Sequence, residues 1–110
     1  MSRLISAATT NATSAKASAG QVGGWYITNT NAAARYFKIY NKASAPTVGT
    51  DIPAMTLLVP GNANGSGANA EFMNGIEFTT GIAYATTTGA ADADTGAVAA
   101  NEVIINLLYK

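Results

Sequence analysis

The chain has 110 residues, no cysteine and no histidine, and its six basic and six acidic residues give a formal net charge of zero. A chain of this length supports one hydrophobic core, and its neutral charge excludes electrostatic recruitment of nucleic acid or of an anionic membrane. The missing residue types remove thiolate nucleophiles, the commonest general bases and most transition-metal ligands, so the composition argues against an enzyme and against a cofactor.

The first segment, residues 1–19, is rich in Ser, Thr and Ala, and its longest apolar stretch is the pair Leu4-Ile5. It matches neither the apolar region of a signal peptide nor a membrane span, which predicts synthesis in a cytoplasm. Because it carries little core signal, we expect it to form an extended N-terminal arm that orders on a neighbouring subunit.

Two strands with clear alternation follow. In residues 25–29, Trp25 and Ile27 share one face, and this pattern assigns Trp25 to the core. In residues 35–42, Phe37 and Ile39 are assigned to the core. The opposite face of that second strand carries a stripe of alternating aromatic and basic side chains, Tyr36, Lys38, Tyr40 and Lys42.

The rest of the chain continues with short strands separated by Gly, Asn, Pro and Ser, a spacing typical of a sandwich or a barrel. The strands are predicted at residues 55–59, 71–78, 81–86 and 102–109, with a bend at Gly75. The last is apolar on both faces, including Ile104 and Leu108, which predicts a central or interface strand. Helix signals are weak, and only residues 90–100 are a candidate for one helical turn.

Three constellations resemble chemical sites. Glu71 and Glu77 would lie about 20 Å apart along a strand, too far for paired carboxylate catalysis, and are interpreted as solvated edge charges. Asp92 and Asp94 begin like a calcium loop but lack the later ligands, so a turn is favoured and a weak calcium site stays open. The Gly-rich residues 61–67 lack the Lys of a phosphate loop and predict a flexible hairpin loop.

The stripe of Tyr36, Lys38 and Tyr40 has three interpretations: a single-stranded nucleic-acid surface, a solvated face, or a protein interface. The neutral net charge argues against nucleic acid. Only 11% of the chain is charged, against about 25% in ordinary soluble domains, and such a surface tends to self-associate. The candidate protein interface is therefore assigned to Tyr36, Lys38, Tyr40, Ile104 and Leu108, with no catalytic, cofactor or metal residue.

Several segments of the chain resemble small virion structural proteins encoded by tailed phages and prophages. They are residues 3–8, residues 29–42, residues 45–53, residues 75–83 and the phrase Gly-Ala-Ala-Asp-Ala-Asp at 89–94. Within that group, the chain looks like the capsid decoration, or cement, proteins. The resemblance covers nearly the whole chain and carries over no catalytic or ligand residue.

The resemblance implies a single all-β domain over residues 1–110, a jelly-roll-like β-sandwich of about eight antiparallel strands. It implies a homotrimer that binds the major capsid protein on the capsid surface of the virion. The neutral charge predicts neither a nucleic-acid nor a membrane partner. Two alternatives stay open: a tail, neck or fibre component, and a host-surface carbohydrate-binding module that uses Tyr36, Tyr40 or Trp25 as stacking platforms.

Overall fold

The structure, a computed structural model, describes all of residues 1–110. Its regular elements are eight β-strands, and no helix is present that could cross a membrane. The strands are β1 (Ser2–Ile5), β2 (Thr13–Lys16), β3 (Gly20–Asn29), β4 (Arg35–Asn41), β5 (Met55–Val59), β6 (Ser66–Phe78), β7 (Ile82–Thr87) and β8 (Val103–Tyr109).

The strands form two four-stranded sheets in which every neighbouring pair is antiparallel. Sheet A has the order β1-β8-β3-β6 and sheet B the order β2-β7-β4-β5. Each sheet thus alternates strands from early and late parts of the chain, as in an eight-stranded jelly roll made of two Greek keys. The predicted all-β, jelly-roll-like sandwich is confirmed, and β8 is a central strand as its sequence indicated.

The core lies between the two sheets and follows the alternation of the strands. Trp25 and Ile27 of β3 and Phe37 and Ile39 of β4 point inward, each at most 5% exposed, as predicted. One pair of aromatic rings packs within each sheet, with ring-centre distances of 5.1 Å for Trp25 and Phe72 in sheet A and 5.4 Å for Phe37 and Tyr84 in sheet B. Both pairs are tilted, an arrangement that is favourable for aromatic quadrupoles.

Residues 1–19 are extended, but they do not project as an arm. β1 pairs with β8 and β2 pairs with β7, so the segment supplies one edge strand to each sheet. Leu4 packs against the core. Ser6 is buried, where its hydroxyl donates to Ala99 O (2.7 Å) and accepts from the amides of Glu102 and Val103 (both 3.1 Å). These contacts hold the segment on its own subunit, which corrects the predicted arm.

One end of the sandwich is held by the buried carboxylate of Glu102. Its Oε1 accepts from Arg35 Nε (2.7 Å) and Ala99 N (2.9 Å), and its Oε2 accepts from Asn31 Nδ2 (2.7 Å). Burial raises the pKa of Glu102, but the hydrogen bonds from Arg35, Ala99 and Asn31 outweigh burial, and the pKa lies below its ordinary value. Glu102 thereby joins the β3–β4 turn to the start of β8.

We expect stability to decline in acid because of this carboxylate. Its stabilisation is complete above the unfolded-state pKa of 4.5 and is lost as the pH falls from there through the lower pKa of folded Glu102. Urea unfolding midpoints measured between pH 7 and pH 3 should fall below about pH 4.5. Since Asp51, paired with Lys42, also has a lowered pKa, the control is Glu102→Gln, whose pH dependence should be shallower; an identical dependence would contradict the assignment.

Candidate assembly surface

The outer face of sheet B is closed by the chain itself. The β4–β5 loop (residues 42–54) and the β7–β8 loop (residues 88–102) both cover it, and Val48 packs on Tyr40, Ala83 and Ala85. Lys38 donates from Nζ to Ala91 O at 2.6 Å. As a result, every residue of β7 is buried and little of this face is open to a partner.

The covering loops change the interpretation of the aromatic and basic stripe. Lys38 is 0% exposed and Tyr40 is 1% exposed, while Tyr36 is half-buried. Burial, with smaller contributions from Asp51 and Asp92, raises the pKa of Tyr40. The prediction that Lys38 and Tyr40 form a protein interface is wrong for this conformation of the subunit, because the two loops occupy the position a partner would take.

The same burial removes most of the proposed carbohydrate platform. Tyr40 lies under the loops, and Trp25 is 5% exposed in the core. Stacking on a sugar requires an accessible ring face, which leaves only the half-buried Tyr36 of the three predicted residues.

The outer face of sheet A is open along its whole width. Strand registers align its outward side chains in rows: Ile5, Ile104 and Thr28 form one row, and Arg3, Asn106, Tyr26 and Asn69 form the next. Ile5 is 43% exposed and Tyr26 is 40% exposed. Leu108, half-buried, continues the face toward the other end of β8. No loop of the chain is hydrogen-bonded across these rows.

Charge is sparse on this open face. Its ionic side chains are Arg3 on β1 and, across the sheet, Glu71 and Glu77 on β6. Glu71 Oε1 accepts a hydrogen bond from the Tyr26 hydroxyl, and this bond raises the pKa of Tyr26 above its usual range. The remaining side chains are apolar or neutral, so desolvating the face costs less than desolvating a typical charged surface.

A groove of about 280 Å³ lies at one end of the open face. It exists because the register of β3 and β6 shifts between Val22 and Gly24, so that Phe72–Gly75 bulges outward. Gly75 has φ +70°, a left-handed conformation suited to glycine, at the predicted bend. Phe72 and Leu108 line the groove, and Met73 projects fully exposed beside it.

The carboxylate constellations have structural roles. Asp94 Oδ1 accepts from the amides of Gly89 (3.2 Å) and Gly96 (2.8 Å), the turn role favoured by the sequence. No three carboxylates lie close enough together to hold a metal ion. Glu71 and Glu77 are both exposed on the edge strand β6, as predicted. The predicted helical turn at residues 90–100 is absent, since the β7–β8 loop follows sheet B through turns and bends.

The five predicted interface residues therefore lie on opposite sides of the sandwich. Ile104 and Leu108 belong to the open face of sheet A, whereas Tyr36, Lys38 and Tyr40 belong to sheet B. The sequence alone does not identify Ile5, Tyr26 and Thr28 as part of the surface. The alternation that places Trp25 and Ile27 inside also points Tyr26 and Thr28 outward. Their pairing with β8 could not be predicted from the sequence.

Comparisons with protein families, with curated proteins and with solved structures find no match for this chain. Fold and surface are thus the basis for any functional conclusion.

Proposed function

We propose that the protein is a structural subunit that docks on a larger shell through the outer face of sheet A, as a capsid decoration protein of a tailed phage does. The observation that carries this proposal is the asymmetry of the sandwich. Sheet B is sealed by the subunit's own loops, whereas sheet A leaves Ile5 and Tyr26 exposed and Ile104 and Leu108 partly exposed. A molecule with one closed and one open broad face is suited to lie flat on a partner.

The size of the open face fits this use. The molecule measures 36 by 30 by 19 Å, so a broad face offers on the order of 1,000 Å², compared with about 800 Å² per partner in a standard stable interface. Jelly rolls are also common among viral capsid proteins, a likeness of fold that supports the proposal by analogy. In this proposal the partner is the major capsid protein, and the site is the outside of the virion.

Thr28→Arg tests the proposed docking face. Thr28 is exposed on the central strand β3, in the row that it forms with Ile5 and Ile104, and an arginine there would place a long charged side chain beside these apolar neighbours. We expect the affinity for capsids lacking the protein to fall at least about 100-fold, because the new charge must be desolvated or excluded from the contact. Co-sedimentation with such capsids measures this.

The matched control is Thr50→Arg, which makes the same change at an exposed position of the β4–β5 loop, over sheet B. It should bind capsids like the unmodified protein. If both variants lost binding equally, or if neither lost binding, docking through sheet A would be contradicted. Thermal melts of both variants should agree with that of the unmodified protein, which separates binding from folding.

The copy number in purified virions separates a decoration protein from a component of the tail, neck or fibre. Quantitative mass spectrometry against the major capsid protein should give hundreds of copies, near a simple ratio. A dozen or fewer copies would assign the protein to a unique vertex or to the tail instead.

A further inference from the structure

The four edge strands of the sandwich are not equally protected against pairing with another chain. β1 and β2 are four residues long; β1 carries Arg3, while β2 ends at Lys16 and has an irregular register. β5 lies between Pro53 and Pro60. Short strands, lysine or arginine, irregular pairing and proline are the usual devices that block edge-to-edge association. β6 lacks them over its first five residues.

That segment of β6, residues 66–70, has the sequence Ser-Gly-Ala-Asn-Ala. It is regularly paired with β3 on one side and has no strand on the other. It contains no charge, no proline and no large side chain. The protective features of β6 begin only afterwards, with Glu71 and the bulge at Phe72–Gly75.

The hydrogen-bond pattern shows which backbone groups of this edge are free. Gln21 and Lys110 exchange both backbone hydrogen bonds, and Thr30 N donates to Glu102 O. Because backbone hydrogen bonds alternate along an antiparallel strand, the N–H and C=O groups of the even-numbered residues after the β3 bulge point toward β8. Those of the odd-numbered residues point toward β6. On β6, the backbone groups of Ser66, Ala68 and Ala70 consequently bond to β3. The amides and carbonyls of Gly67 and Asn69 point outward from the free edge of the sheet.

We propose that β6 pairs with β6 of a second copy of this chain, antiparallel about a twofold axis at Ala68. Gly67 of one copy then exchanges both backbone hydrogen bonds with Asn69 of the other, and the reverse pair does the same. The axis keeps the core-facing side chains of both copies on one side, so sheet A continues across the pair as a sheet of eight strands. Glu71 of one copy lies opposite Gly65 of the other, and no like charges meet.

Exposed apolar side chains beside β6 indicate that a second whole subunit pairs with this edge, rather than a single peptide strand. β5 is the edge of sheet B and contacts β6, so both edges belong to one flank of the sandwich. Leu58 on β5 is 55% exposed, Met73 on β6 is 101% exposed, and Ile52, just before β5, is 78% exposed. A twofold axis beside β6 brings this flank of both copies together, and a whole subunit covers more of it than a single added strand.

This pairing uses a different surface from the proposed docking face and does not depend on it. It predicts a twofold pair as the unit in solution, in place of the trimer implied by the resemblance. A pair would present two open faces of sheet A side by side.

Asn69→Pro is the first test, because proline removes an amide that points away from β3 and leaves the β3–β6 bonds intact. Analytical ultracentrifugation of the unmodified protein should give a species of about 22 kDa, twice the 11.1 kDa of the chain. Asn69→Pro should weaken the pair at least about 100-fold. Asn69→Ala, which loses the same side chain but keeps the amide, should stay paired. A monomer or a trimer for the unmodified protein overturns the proposal.

A single-cysteine reporter tests the register and does not depend on how the proline variant folds, since the chain has no cysteine of its own. Residues at the twofold axis form a non-hydrogen-bonded pair with Cα atoms about 4.5 Å apart, within disulfide range. Ala68→Cys should therefore cross-link two copies on oxidation. Ala70→Cys, placed opposite Ser66, should not. No cross-linking with Ala68→Cys, or equal cross-linking at both positions, overturns the proposed pair.

Discussion

Replacing Glu102 with glutamine is expected to lower the free energy of unfolding by about 3 kcal/mol, because it leaves the Arg35 guanidinium buried without its carboxylate. The two side chains are only 13% and 7% exposed, so water compensates little. Three donors, from Arg35, Ala99 and Asn31, converge on the two oxygens of Glu102. Glutamine offers one acceptor oxygen and turns an N–H toward one of these donors.

Urea denaturation at pH 7 measures the loss. The control is Glu77→Gln, an exposed glutamate on β6, which should stay within about 0.5 kcal/mol of the unmodified protein. A loss of less than about 0.5 kcal/mol for Glu102→Gln would show that the network at this end of the sandwich is not a major source of stability.

Deleting residues 2–13 is expected to abolish cooperative folding. The deletion removes all of β1, the core contact of Leu4 and the three hydrogen bonds of the buried Ser6 hydroxyl. It also uncovers the edge of β8, an apolar central strand. The combined loss is of the order of the whole stability of a small domain, about 5–15 kcal/mol.

Circular dichroism and a thermal melt of the truncated chain test this expectation. A free arm would behave differently: the truncated protein would fold and melt normally and would lose only attachment to capsids. Ser6→Ala is the milder variant, which leaves the amides of Glu102 and Val103 without their acceptor and should cost about 2 kcal/mol. Normal melting of the truncated protein would restore the arm hypothesis.

The strands that could be predicted from the sequence are those with β-branched or aromatic residues in alternation. For Trp25 and Ile27, or Phe37 and Ile39, the pleat alone decides which side chains face inward. β1 and β2 were not recognised as strands because short edge strands made of Ser, Thr, Ala and single long side chains carry almost no apolar pattern. Their place is set by pairing with β8 and β7, far away in the sequence.

The error on the outer face of β4 has a different cause. Alternation correctly separated Lys38 and Tyr40 from the core between the sheets, but it contains no information on what covers the other side. The cover comes from loops of small residues, with Val48 over Tyr40 and Ala91 at the ammonium of Lys38. The composition of these loops predicts solvated connections. Only the folded structure shows that they form a second, smaller core.

The pairing of β1 with β8 affects how the molecule is made. Ser2 lies opposite Leu107, so β1 gains its only strand partner from β8, which follows all the other strands of this domain in the sequence. Sheet A lacks a central strand until β8 has been synthesised, and closing so long a loop is slow. Sheet A therefore cannot be completed before β8 leaves the ribosome, and β1 stays unpaired until then, which is the period when chaperones have most to contribute.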